Sequence, residues 1–294
     1  MIRLSAILLA VWAYTQTAFL PALADDTVNC QSAGRRVVAL GGAVTESILA
    51  LGAGNRMVGR DTTSTHPDAA GLPDVGYYRR LASEGVLSLK PDLILAEPDA
   101  GPDVVLEQVS AAGVCVIRMP RGGSADAIAQ RLLAVASALG LGDSGAGLAA
   151  GIKADMTALS QMIPPETDRP KILFLLSVSG GTPVAAGDDT DAAAVIDLIG
   201  GKNAIENVTG YKPLSTEAAI AARPDVILMM DHVIPQAGGP QAVLALPQIA
   251  LTPAGANGRL VAIDGLSTLG FGPRTPAALK QLARDIHGSG KKGR

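Results

Sequence analysis

The sequence predicts an α/β protein of two lobes joined by a single long helix. Three observations carry that expectation. Short apolar runs alternate with Ala- and Leu-rich stretches along the whole chain, the grammar of mostly parallel sheets with crossover helices. The second half restates the first at a fixed offset: Leu81 and Leu214, Glu84 and Glu217, Lys90 and Arg223, Pro91 and Pro224, and Asp92 and Asp225 each stand 133 positions apart. Between the halves lies one helical stretch, residues 143–165, in which Leu148, Ile152, Met156 and Leu159 recur at helical spacing.

Each element follows from local chemistry. "RVVALGG" reads as a strand closed by glycines, and Thr45 followed by "ESILALG" reads as a helix stopped by Gly52. "NRMVGR", "DLILAE" and "GVCVIRM" supply further strands, with "GPDVVLEQVSAAG" as the helix between the last two. In the second half "KILFLLS", the helix "DAAAVIDLIGG", "DVILMM" and "RLVAI" repeat the pattern. Asp143 or Ser144 can cap the connecting helix, and Pro164-Pro165 ends it. At ~1.5 Å per residue it spans roughly 30 Å, the width of a small lobe, as a rigid strut that permits small rocking and opposes large closure.

The first residues bound the compartment. "MIRLSAILLAVWAYTQTAFLPALADD" has an early Arg3, an apolar run and an Ala-Leu-Ala site ahead of two acids, which reads as a secretory leader cut near Ala24. The domain reading is therefore 1–24 leader, 25–142 first lobe, 143–165 interlobe helix and 166–294 second lobe, in an exported protein. The formal net charge is −3 and the basic residues form no stripe, so nucleic acid is not an expected partner. Cys30 and Cys115 can form one disulfide in an oxidising compartment, or Cys115 can stay a buried thiol. "GGAVTES" lacks the G-x-G-x-x-G spacing of a dinucleotide loop and reads as a tight turn. No G-x-S-x-G elbow is present, and His66, His232 and His287 have no metal-ligand spacing.

The chemistry concentrates in "VGYYRRLASEGVLSLKPDLIL". Of the four tyrosines in the chain, Tyr77 and Tyr78 stand side by side and run into Arg79 and Arg80. A phenol becomes a ligand for a hard metal when its anion is favoured, and a neighbouring guanidinium favours it without ever losing charge. A phenolate suits ferric iron, haem iron included. The same four residues also suit ordinary lobe packing. Glu84 and Glu217 each lie at a helix start behind Ser83 or Thr216, where an acid gains from the helix dipole.

Together, "RVVALGGAVTESILALGAGNRMVGRDTTSTHPDAAGLPDVGYYRRLASEGVLSLKPDLILA", "SVSGGTPVAAGDDTDAAAVIDLIGGKNA", "GYKPLSTEA" and "RLVAIDGLSTLGFGPRTPAAL" resemble the periplasmic haem-binding proteins of bacterial haem-uptake ABC transporters. The likeness runs from about residue 35 to 285. It implies the class III architecture, two Rossmann-like lobes on one long helix with the cargo, ferric haem b, in the cleft between them, and no enzymatic activity. By that resemblance Tyr77 is the axial ligand, Arg79 favours its phenolate, and Tyr78 is a wall against the porphyrin. Arg80 lies beside them, and Arg80, Arg118, Arg121 and Arg274 are propionate candidates. The loop "LLSVSGGTP" lacks the second-lobe histidine of some family members, which implies five-coordinate iron unless His232 approaches. Glu84 and Glu217 are implied to dock on an ABC permease dimer with its ATPase subunits, by pairing with permease arginines. An outer-membrane haem receptor system upstream and a monomeric state complete the reading. Cobalamin or a ferric siderophore is the alternative cargo, and an exported haem-modifying or nucleotide-dependent α/β enzyme is the alternative class.

Overall fold

The computed structural model describes Cys30 and residues 34–288. The leader and the terminal "KKGR" lie outside the described residues. The first sheet is built from β1 (Val37–Leu40), β2 (Met57–Arg60), β3 (Leu93–Ala96) and β4 (Cys115–Arg118), all parallel, in the order β2-β1-β3-β4. Every residue of β1 and β3 is buried, because a parallel sheet covered on both faces needs continuous apolar strands instead of alternating ones.

The second sheet contains β5 (Lys171–Ser179), β6 (Thr182–Ala186), β7 (Lys202–Asn203), β8 (Tyr211–Pro213), β9 (Val226–Met230) and β10 (Leu260–Ile263). Its order is β10-β9-β5-β6-β8, with β7 beside the start of β5. β5, β9 and β10 run parallel, and β6 runs antiparallel to both its neighbours, β5 and β8, so this sheet is mixed. The hairpin between β5 and β6 turns on Gly180 and Gly181, whose φ values of 58° and 79° are those a two-residue hairpin requires.

The repeat has a physical basis in both lobes. Helix Ser83–Ser88 leads into β3, and helix Thr216–Ala222 leads into β9. At the same offset Lys90 (φ 49°) and Arg223 (φ 50°) take the left-handed conformation that turns the chain ahead of the Pro-Asp pair. Asp92 then accepts hydrogen bonds from the backbone of Arg35 and Arg36 at 3.1 and 3.0 Å, and Asp225 accepts one from the backbone of Lys171 at 2.8 Å. Each aspartate thus stitches its strand to the strand that opens its lobe.

The connecting helix spans Gly142–Ser160. The expected side-chain cap is absent: Leu141 occupies the cap position, and Asp143 stands in the first turn. The helix also stops before Pro164, at the turn following Ser160. Nor is it a free strut. Gly145, Ala149, Ile152, Met156 and Leu159 are buried along one stripe, against helices Ala125–Ala138 and Thr275–Gly288. A side chain at Gly145 would put its Cβ 2.4 Å from that of Ala136, so glycine is what lets the first of these helices approach. Lys280 Nζ donates to Asp155 Oδ1 at 2.7 Å on the other side. The three helices and the apolar faces of both sheets share one continuous core, with Val37, Leu95, Ile152, Phe174, Leu228 and Leu282 among its members. Each such fully buried aliphatic or aromatic side chain contributes about 1.5–3 kcal/mol.

Cys30 and Cys115 form a disulfide, with Cα atoms 5.6 Å apart and 85 positions between them in the chain, which ties the N-terminal arm to β4. No helix among the described residues is long and apolar enough to cross a membrane.

Candidate functional site

In parallel α/β sheets, ligands gather outside the carboxyl ends of the strands. Here those ends carry Glu97 and Asp99 after β3, Arg121 after β4, and His232 after β9. Tyr77 and its neighbours come to the same place on a tight turn, closed by the Arg80 backbone N–H donating to the Tyr77 carbonyl at 2.7 Å. In this turn the two rings are set edge to face, with centroids 5.2 Å apart and planes at 70°.

The turn separates the two phenols. Tyr78 is 9 % exposed and sits in the first lobe's second core with Val38, Leu40, Leu81, Ile94 and Ala96. Burial, assisted by the charge of Asp99, pushes its phenol above the usual range, so it stays protonated. Expected as a wall against the porphyrin, Tyr78 is instead a core residue that supports the turn. Tyr77 is 37 % exposed, and its Oη accepts a hydrogen bond from Arg79 Nη1 at 2.6 Å. Arg79 also donates through Nε to Asp99 Oδ2 at 2.6 Å and makes an ion pair with it through Nη2. Its Cζ lies 4.8 Å from the Tyr78 ring centroid, a cation–π contact.

The second lobe brings Asp191 and Tyr211 toward this group. Thr190 caps helix Asp191–Leu198 through Oγ1, which accepts from the Ala193 N–H at 3.0 Å. Burial raises the Asp191 carboxyl, and the positive charges of Arg79 and Arg121 in the first lobe oppose that rise across the gap. Tyr211, on the edge strand β8, is 36 % exposed, and burial followed by the charge of Asp191 raises its phenol. The cleft therefore presents Tyr77, Arg79, Asp99 and Arg121 from one lobe against Asp191 and Tyr211 from the other.

Among the described residues no group of three or more His, Cys, Asp and Glu side chains could hold a bare metal ion. A family model described as "Periplasmic binding protein" matches residues 37–265, which takes in both sheets and the helix between them. The chain belongs to the periplasmic binding protein family.

Solved structures similar to this periplasmic binding protein include the periplasmic heme-binding protein BhuT in complex with two hemes, at 41 % identity and a TM-score of 0.82 over 86 % of this chain and 98 % of that one. RhuT, the periplasmic heme-binding protein from Roseiflexus sp. RS-1, is 39 % identical with a TM-score of 0.81 over 87 % and 99 % of the two chains. HutB of Vibrio cholerae, also a periplasmic heme-binding protein, is 36 % identical with a TM-score of 0.77 over 86 % and 98 %. Among curated proteins, the vitamin B12-binding protein of Vibrio parahaemolyticus is 24 % identical over 75 % of this chain and 79 % of its own length. The two-lobed class III architecture is common to this protein and these neighbours, and it is a solute-binding protein, not an enzyme.

Glu84 and Glu217 are exposed, each in the first turn of its helix. Ser215 caps the second of these helices by accepting from the Ala218 N–H, and the backbone N–H of Glu217 together with Ser215 holds the Glu217 carboxyl below the usual range. His232 has a side chain 61 % exposed beside Asp231, and His66 accepts from the Asp68 N–H through Nδ1. Arg80 is exposed. Two of the anticipated propionate partners are otherwise engaged. Arg118 donates to the carbonyls of Pro98 and Ala100 at 2.7 and 2.8 Å and pairs with Asp103. Arg274 binds the buried Glu46 of the other lobe, with Nε at 2.7 Å from Oε1.

Sequence reasoning missed Asp99, Asp191 and Tyr211 as cleft residues and Glu46–Arg274 as a tie between the lobes. Only Asp99 carried a local signal, as an acid placed just after a strand that ends at the cleft.

Proposed function

We propose that this protein captures ferric haem in the interlobe cleft, with Tyr77 as the axial ligand, and delivers it to an inner-membrane ABC importer. The observation that carries the reading is the division within the adjacent pair: Tyr77 is exposed at the cleft where Tyr78 is buried, and the Tyr77 oxygen already accepts a hydrogen bond from Arg79. The guanidinium donor is charge-complementary to a phenolate, the form that binds ferric iron. The heme-binding relatives at 41 %, 39 % and 36 % identity support the same cargo. Cobalamin, bound by more distant relatives, and ferric siderophores bring their metal already enclosed and have no need of a tyrosine donor.

The rest of the reading follows. The iron is five-coordinate, with Arg80 and Arg121, both exposed, as the cations that meet the propionates. Residues 1–24 direct export to the periplasm, and residues 25–142 and 166–294 form the lobes on either side of the connecting helix. Glu84 and Glu217, related by the repeat, pair with basic residues on the two permease subunits.

Hemin added to the purified protein tests the proposal. The expected result is a high-spin ferric tyrosinate spectrum that Tyr77→Ala abolishes and Tyr78→Phe retains. A free-hemin spectrum, or a tyrosinate band that survives Tyr77→Ala, refutes it.

A further inference from the structure

Arg79 has a side chain 48 % exposed, and an arginine in that position ordinarily spends its rotamer freedom in water. Here one edge of its guanidinium is occupied. Nε and Nη2 both face the carboxylate of Asp99, which leaves Nη1 as the donor aimed at Tyr77 Oη, 2.6 Å away. Both contacts converge on one oxygen, Oδ2, and a charge-assisted pair of this kind is among the stronger holds a carboxylate has on an arginine.

Asp99 is itself fixed on both sides. The backbones of the two loops zip together, with Leu81 N–H donating to the Gly101 carbonyl at 3.0 Å and Gly101 N–H to the Tyr78 carbonyl at 2.8 Å. Arg118 holds the carbonyls of Pro98 and Ala100, the residues flanking Asp99. The Arg118 guanidinium therefore braces the loop that carries the carboxylate. The other charges around the group are Arg121, whose Nη2 is 3.9 Å from Asp99 Oδ1, Glu97 beneath it, and Asp191 from the opposite lobe.

We infer that Asp99 is a positioning residue for the iron ligand: by clamping the Arg79 guanidinium it keeps the Nη1 donor on the Tyr77 oxygen. The inference rests on the reading of Tyr77 as the haem ligand. Without Asp99, Arg79 keeps its charge but loses its anchor, and the phenolate loses a fixed charge-assisted hydrogen bond.

The test uses hemin-loaded protein and two readouts, the tyrosinate-to-iron charge-transfer band and the rate of hemin transfer to excess apomyoglobin. Asp99→Ala is expected to move the band in the same direction as Arg79→Ala and to speed hemin loss by about tenfold, the equivalent of one such hydrogen bond. Asp99→Asn keeps the side-chain shape, moves the band the same way, and carries the test should Asp99→Ala fold poorly. In an Arg79→Ala background, Asp99→Ala is expected to change neither readout. An unshifted band in both Asp99 variants, or an equal effect with Arg79 absent, overturns the inference while leaving Tyr77 as ligand intact. A tyrosinate band that survives Tyr77→Ala brings down both.

Discussion

Replacing Arg274 by alanine tests the tie between the lobes. Glu46 lies in helix Gly42–Ala50 of the first lobe with its side chain 1 % exposed, and Arg274 reaches it from 228 positions away with a side chain 43 % exposed. Both guanidinium contacts go to Oε1, and Oε2 is buried with no hydrogen-bond partner. Losing one partner of a fully buried pair costs about 3–5 kcal/mol, and the half-exposed arginine brings the expectation to about 2–3 kcal/mol. That corresponds to a fall in Tm of roughly 5–10 °C for a chain of this size.

The pH dependence fixes the mechanism. Burial already raises the Glu46 carboxyl against the opposing pull of Arg274, so the native state holds this proton more tightly than the unfolded chain does. Stability from this group is greatest at acid pH and declines as pH rises from the ordinary carboxylate range through the folded value. Removing Arg274 raises the folded value further and prolongs the decline. The stability gap between Arg274→Ala and wild type is therefore expected to widen from pH 5 to pH 8 in urea unfolding, and Glu46→Gln in the same background is expected to close most of it. A gap independent of pH, or one untouched by Glu46→Gln, refutes the reasoning.

Two further outcomes follow from features outside the cleft. Reducing the Cys30–Cys115 disulfide, which closes a long loop, is expected to lower unfolding free energy by about 2–4 kcal/mol, read as a shift of the urea midpoint with and without reductant. Ser215→Ala removes the cap that accepts from the Ala218 N–H and should cost about 1 kcal/mol in the same assay, whereas the corresponding cap position of the first-lobe helix is Ala82 and offers nothing to remove.

The sequence disclosed what is local or periodic. β1, β3, β5 and β9 are continuous apolar runs and were readable as strands, and the offset of 133 anticipated the repeated units and the pairing of Lys90 with Arg223, though not the left-handed turn they share. β6 and β8 were missed, because "TPVAA" and "YKP" are short and contain proline, although the Gly180-Gly181 pair marks the hairpin from β5 to β6. Tyr77 and Arg79 were legible because two residues of separation suffice for their hydrogen bond. Asp99, Asp191 and Glu46–Arg274 were not, since their partners are brought together only when the loops and lobes pack. Tyr78 shows the limit most sharply: nothing in "GYYRR" says which ring the turn will bury.

The core shared by both lobes bears on how a transporter can sense its delivery. Helix Gly142–Ser160 is packed into that core, and Arg131 Nη1 donates to the Phe271 carbonyl at 2.8 Å near the Glu46–Arg274 pair. The lobes are thus welded along one side, and the distance between Glu84 and Glu217 is set by the fold far more than by the cargo. If, as proposed, those acids are the docking contacts, the protein is a gauge of fixed width, offering much the same footing to a permease whether full or empty. Any preference of the importer for the loaded form must then be read at the rim of the cleft, where Tyr77 and Tyr211 stand half exposed on opposite lobes.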